Sequence, residues 1–429
     1  MIQDVRFMNS IEQQRLLDES LRGFYSNSFF HIYINGEFNT TIANITEQKD
    51  KGTALHEYTH YLQNIGTLWG LYCSIQHYEI IIEFKKAILA AGEIKRPFIF
   101  NLPEELKRKE EYIRHGDGTR GYPKWNIDEE KPVDIELKQI IVNGKQKEQV
   151  NVTFTLKDGR TETVQLGAHI IKESMAALYQ SLLDPDATYD DVPYNLVKII
   201  AKKHFPQTAR DTEKLICCCH TSLCSMSPGS SLIEALQEAE DEPDMNGFEL
   251  FDRYVHTKEV TTGKGVTKTM VDFFNDLVAG FKEMLGFNLV APLDYISMVL
   301  DRVRLDDRYY PFLSVLYDHG GFSENDFTEL IGYYGIPYIQ TSNYGIHHPQ
   351  GNGEVGREGS LDVLELIVQE ALFRSFVEPD RMYCCPLYYM CKGSKYEKPE
   401  CFGNPWEGGM CSYTVVSDAL KLRQKQIVG

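Results

Sequence analysis

The chain has no run of about 18 apolar residues, the length a helix needs to cross a bilayer, so no transmembrane helix is expected. Its opening, Met1–Ser20, carries no apolar stretch flanked by basic residues and does not read as a secretory signal. Positive charge is scarce: 44 Lys and Arg face 62 Asp and Glu, a formal net charge of -18. Such a chain repels phosphate backbones and anionic lipid, which argues against nucleic acid or a membrane surface as partner. The most basic runs, Lys107-Arg108-Lys109 and Lys202-Lys203-His204, are too short to reverse that. No internal repeat appears, so a solenoid is not expected.

Cysteine, by contrast, is plentiful, with 10 residues. Cys217, Cys218 and Cys219 are consecutive, and Cys384 adjoins Cys385. Adjacent cysteines in such a chain suit reduced thiols or metal ligands better than a secreted disulfide framework. A cytoplasmic location is the expectation; a toxin exported without a leader would look the same. The 42% hydrophobic and 12% aromatic content suffices for a packed core. A length of 429 residues allows about two to three domains, or one large domain with an appendage.

The most informative segment is His56-Glu57-Tyr58-Thr59-His60. It lies in a stretch with no proline and with apolar residues at helical spacing: Leu55, Tyr58, Leu62, Ile65, Leu68 and Trp69. A helix is therefore expected from about Lys51 to Leu71. Histidines four apart share one helix face, so both imidazoles can reach one metal ion. Glu57 then stands beside the open coordination position, placed to act as general base for a zinc-activated water.

Catalytic zinc takes three protein ligands and keeps a fourth position open. The extended motif HExxHxxGxxH is absent, because Gln63 and Gly66 break it. A carboxylate on another helix is the expected third ligand. Glu173, Glu365 and Glu370 compete. Two helices that share a metal must approach closely, and small residues make room. Glu173 has Ala176 and Ala177 just after it and Gly167 and Ala168 before it, whereas Glu365 and Glu370 lie among bulkier side chains. Packing room favours Glu173.

The pair of segments, HEYTH and then a helix containing Glu173 with Ala176 three residues later, resembles the gluzincin zinc metallopeptidases. The resemblance covers somewhat under half of the chain. It implies zinc held by His56, His60 and Glu173, with Glu57 as base, and a zincin-like core of antiparallel strands, an active-site helix and a glutamate helix. It also implies a protein or peptide substrate lying along an edge strand, here the hairpin Phe29–Ile42. Two alternatives stand beside peptidase activity: a catalytically silent, zinc-stabilised binding or sensor protein, and a zinc hydrolase of a non-peptide amide or ester. Oligomeric state is not legible.

The expected fold class is α+β: a catalytic region over residues 1–315 with a β-rich insertion around 97–166, then a helical and Cys-rich region over 316–429. A helix is expected over 11–24 and two strands around the turn Asn35-Gly36. Residues 97–132 read as irregular. Three strands joined at Asn143-Gly144 and Asp158-Gly159 precede the Glu173 helix, expected over 167–183. Residues 238–265 read as a surface loop, including a plain acidic turn at Asp241–Phe248. A further helix is expected over 360–377. Asn64 is a candidate to orient the histidines. Tyr333, Tyr334, Tyr344, His347, His348 and His220 are candidate transition-state donors. Cys385, Cys391, Cys401 and Cys411, with Cys384 as an alternative, offer four thiolates for a second, structural zinc, although no CxxC pair is present. Cys217, Cys218, Cys219 and Cys224 read as small core residues.

Overall fold

Helices make up 58% of the described residues and small sheets are set among them, an α+β arrangement. The computed structural model describes residues 23–26, 30–121, 125–261, 265–305, 310–341, 346–347, 349, 361–378, 385, 387, 391, 398 and 411–428. Most of the helix expected over 11–24 lies outside these residues, as do Tyr344, His348, Cys384 and Cys401. Gly23 and Phe24, expected to end that helix, belong to a strand. No helix among the described residues is long and apolar enough to cross a membrane.

Gly23–Ser26 pairs antiparallel with His31–Ile34. His31–Ile34 pairs in parallel with Tyr338–Thr341, which pairs antiparallel with Ile346–His347. Ile32 and Ile34 point inward while His31 and Tyr33 stay half-buried, the period of two that a one-sided sheet requires. A second pair joins Glu93–Lys95 to Gln426–Val428. Strands from either side of residue 315 thus share both sheets.

The hairpin expected across Asn35-Gly36 does not form. His31–Ile34 pairs with the strand before it, and the chain beyond Ile34 bends without a further strand. Both edges of His31–Ile34 are taken, by Gly23–Ser26 and by Tyr338–Thr341, and Asp50 holds the bend that follows. A Cβ on Gly36 would lie 2.6 Å from its carboxylate, and the Glu37 N–H donates to Asp50 Oδ2 at 2.8 Å. The carboxylate takes a backbone donor that a partner strand would have used.

The ligand helix runs Gln48–Gly66, and all of it is buried except Gln48, Lys49 and His60. Burial of so polar a helix is costly unless its groups find partners. Thr53 and Thr59 donate back to the carbonyls of Lys49 and Leu55, and Lys51 pairs with Glu324 at 2.6 Å. The helix stops short of the expected Leu71. Thr67 is extended and caps the next helix, Leu68–Ala90, by accepting from the Gly70 N–H. The corner is tight enough that a Cβ on Gly70 would meet the Gln63 carbonyl oxygen at 2.1 Å.

The meander Val133–Val142, Lys145–Thr155 and Thr161–Leu166 follows the expected strands and turns. Asn143 (φ 52) and Gly144 (φ 75) supply the two positive φ values that a two-residue hairpin turn needs. The meander leads into the glutamate helix, Ala168–Leu183, which packs against the ligand helix. Its small residues Ala168, Ala176 and Ala177 are buried. The ligand helix contributes Gly52, where a Cβ would meet that of Asp184 at 2.7 Å.

Two helices replace expected loops. Glu104–Asp117 is so charged, with only Leu106 and Asp117 buried, that no apolar stripe betrays it. Gly247–Thr257 begins in the acidic stretch, where Asn246 and Glu249 form a reciprocal cap. The Asn246-Gly247 pair therefore starts a helix and is not a plain turn. Leu361–Val377 forms as expected.

Candidate metal centre

The side chains of His56, His60 and Glu173 converge, with one donor atom from each lying within 4.8 Å of the others. Among the described residues it is the only such group of three or more His, Cys, Asp or Glu. Glu173 Oε2 lies 3.7 Å from His56 Nε2 and 3.5 Å from His60 Nε2. These separations are long for hydrogen bonds. They suit a shared metal: zinc bonds of about 2.0–2.1 Å in a tetrahedron space the ligand atoms about 3.3 Å apart. The donor set of two imidazoles and one carboxylate also fits zinc.

The local electrostatics follow from burial and from one negative charge. Burial pushes His56 below its ordinary value, against the pull of Glu173. Burial also opposes charge on His60, but there the Glu173 carboxylate outweighs it and the value rises. Burial would raise Glu173, yet His60 and the contact with His56 hold it well below the usual carboxylate range. Glu173 is thus ready to ligate as an anion. Lys172, its neighbour in sequence, directs its ammonium to Asn64 Oδ1 at 2.6 Å. Glu57 is buried on the ligand helix, and its charge acts on His60.

The side chain that meets the His60 ring is Gln63, while Asn64, expected there, accepts from Lys172. Gln63 Oε1 lies 2.9 Å from His60 Nδ1, and its amide donates to the Lys172 carbonyl at 3.0 Å. Position 63 stands one turn beyond His60, so helical spacing could have singled it out. His56 Nδ1 is buried with no hydrogen-bond partner. The rings of Tyr189 and Tyr194 pack on His56, at 6.3 Å and 6.0 Å between centroids. Their loop is pinned where Ser174 Oγ donates to the Pro193 carbonyl at 2.6 Å and the Ile127 N–H donates to Asp191 Oδ2 at 2.7 Å. No local sequence signal marks these tyrosines, because loop and ligand helix meet only in the fold.

The other candidates lie elsewhere. Glu365 accepts from the N–H groups of Val290 and Ala291, and Glu370 is held between His77 and Arg374. His220 sits among Phe251, Tyr310 and Phe312, and His347 packs on Phe38. Tyr333 packs against Tyr334 and under the Arg302 guanidinium. Cys217, Cys218, Cys219 and Cys224 are buried thiols that burial pushes up, and so poor nucleophiles. Cys385, Cys391 and Cys411 do not gather into a three-donor group among the described residues; Cys384 and Cys401 lie outside them.

Compared with known proteins, the chain matches no family model, no curated protein and no solved structure.

Proposed function

We propose that the protein is a zinc-dependent metallopeptidase of the gluzincin type. The observation that carries this reading is the convergence of His56, His60 and Glu173 from two helices, with Glu57 buried between the histidines in sequence. The four-stranded sheet packed on the ligand helix supports a zincin-like core. His56, His60 and Glu173 would hold the ion. When bound, zinc supplies Lewis acidity for a carbonyl and for an attacking water. Glu57 would serve as the base for an attacking water and would return the proton to the departing amine. A site kept only for structure has no use for a carboxylate in that position and is usually closed by a fourth protein ligand. Peptide or protein is the proposed substrate, and the cytoplasm the proposed compartment.

The test is Glu57→Gln in the full chain. Zinc content should stay near one per chain while cleavage of peptide substrates falls by about 10²–10⁴-fold. Peptide, amide and ester substrates assayed side by side distinguish a peptidase from another hydrolase. A wild-type chain that binds no zinc, or a variant as active as wild type, sinks the proposal. Zinc near two per chain would add the C-terminal cysteine site.

A further inference from the structure

Gln63 does more than fill space between two helices. It is fully buried and meets two groups that constrain it in opposite ways. The Lys172 carbonyl can only accept, so the Gln63 amide nitrogen must face it, at 3.0 Å. That leaves Gln63 Oε1, which can only accept, facing His60 Nδ1 at 2.9 Å. Nδ1 must then carry the proton. The lone pair of the neutral ring is thereby fixed on Nε2, the atom that faces Glu173. Moreover, Lys172 immediately precedes Glu173, so one side chain links one ligand to the backbone that carries another.

We propose that Gln63 is a positioning residue that sets the tautomer of His60 and the spacing of His60 from Glu173, so that both present lone pairs to one cation. The proposal rests on the metal reading above. At His56 the nearby amide is Gln180, whose contact favours the charged ring, and Nδ1 itself makes no close hydrogen bond. Removal of the Gln63 amide should free the His60 ring to turn or to change tautomer. A partner of this kind is typically worth 10–100-fold in metal affinity, about the effect expected here.

The experiment measures zinc affinity of the purified full chain by competition with a chromophoric chelator, and the cobalt(II) absorption spectrum of each variant. Gln63→Met keeps the volume and removes both hydrogen bonds. It should weaken zinc by about 10–100-fold and shift the cobalt bands. Gln63→Glu keeps the acceptor for His60 and should hold zinc within a few-fold of wild type, a rescue that packing alone would not give. His77→Gln, on the next helix and outside the cluster, should leave affinity unchanged. If Gln63→Met fails to fold, the last two variants decide. Gln63→Met binding as tightly as wild type, Gln63→Glu losing as much as Gln63→Met, or His77→Gln losing as much as either, overturns the proposal. A wild-type chain with no zinc affinity refutes the metal reading itself.

Discussion

Among the described residues two places bring histidine and glutamate face to face, and they differ in what surrounds the carboxylate. At the first, Glu173 stands 3.5 Å and 3.7 Å from two imidazoles. At the second, Glu370 lies 2.6 Å from His77 Nε2, and the Arg374 guanidinium takes its other oxygen. The difference is a permanent cation. Burial alone would raise Glu370, but His77 and Arg374 outweigh it and hold the carboxyl well below its usual range. That carboxylate is already neutralised and hydrogen-bonded. Glu173 has no guanidinium beside it; the groups that face its carboxylate are titratable rings, too far away for good hydrogen bonds, and the nearby Lys172 ammonium is directed to Asn64. On the proposed reading, a divalent ion would take the place that Arg374 takes beside Glu370.

Removing the carboxylate from each cluster separates them most sharply. Glu173→Ala should take zinc from near one per chain to near zero by elemental analysis, and activity with it. Glu370→Ala should leave zinc in place and cost about 3–5 kcal/mol in urea unfolding, because it removes a buried carboxylate paired with both Arg374 and His77. If Glu370→Ala also empties the metal site, the two clusters are coupled and the contrast fails.

A third histidine environment sharpens the comparison. His220 is fully buried among aromatic rings, neither ring nitrogen has a hydrogen-bond partner, and burial pushes it down to about 3. Its folded value lies below the unfolded one of about 6.5, so between them the unfolded chain holds the extra proton. Its contribution is therefore intact above pH 6.5 and drains as pH falls, by about 1.4 kcal/mol per pH unit. His220→Phe should flatten that part of the stability–pH curve with zinc binding unchanged. An identical slope in the variant would place the acid sensitivity elsewhere. The smallest effect is expected at His77, which is partly exposed. His77→Gln should cost about 1 kcal/mol and leave zinc binding untouched.

The parts of the fold legible in advance are those with local signals. The meander was readable because Asn143-Gly144 and Asp158-Gly159 punctuate alternating runs, and the glutamate helix because the hydrophobic period changes at Gly167. The helix Glu104–Asp117 was not, because its charges leave no apolar stripe. The misread hairpin at Asn35-Gly36 carries the same lesson in reverse. A strong local turn signal yielded to pairings made elsewhere: Gly23–Ser26 and Tyr338–Thr341 take both edges of His31–Ile34, and the Asp50 carboxylate takes the Glu37 N–H.

By itself the sequence determined which two histidines share a helix face, since the spacing of four is a property of the helix alone. It also limited the third ligand to a short list of carboxylates, by the packing room around each. Only the tertiary structure decided that Glu173 meets them, that Gln63 rather than Asn64 holds His60, and that Tyr189 and Tyr194 wall His56. Each of those depends on how closely two distant segments pack. Such distances are set by interlocking side chains across the whole core, which no local pattern records.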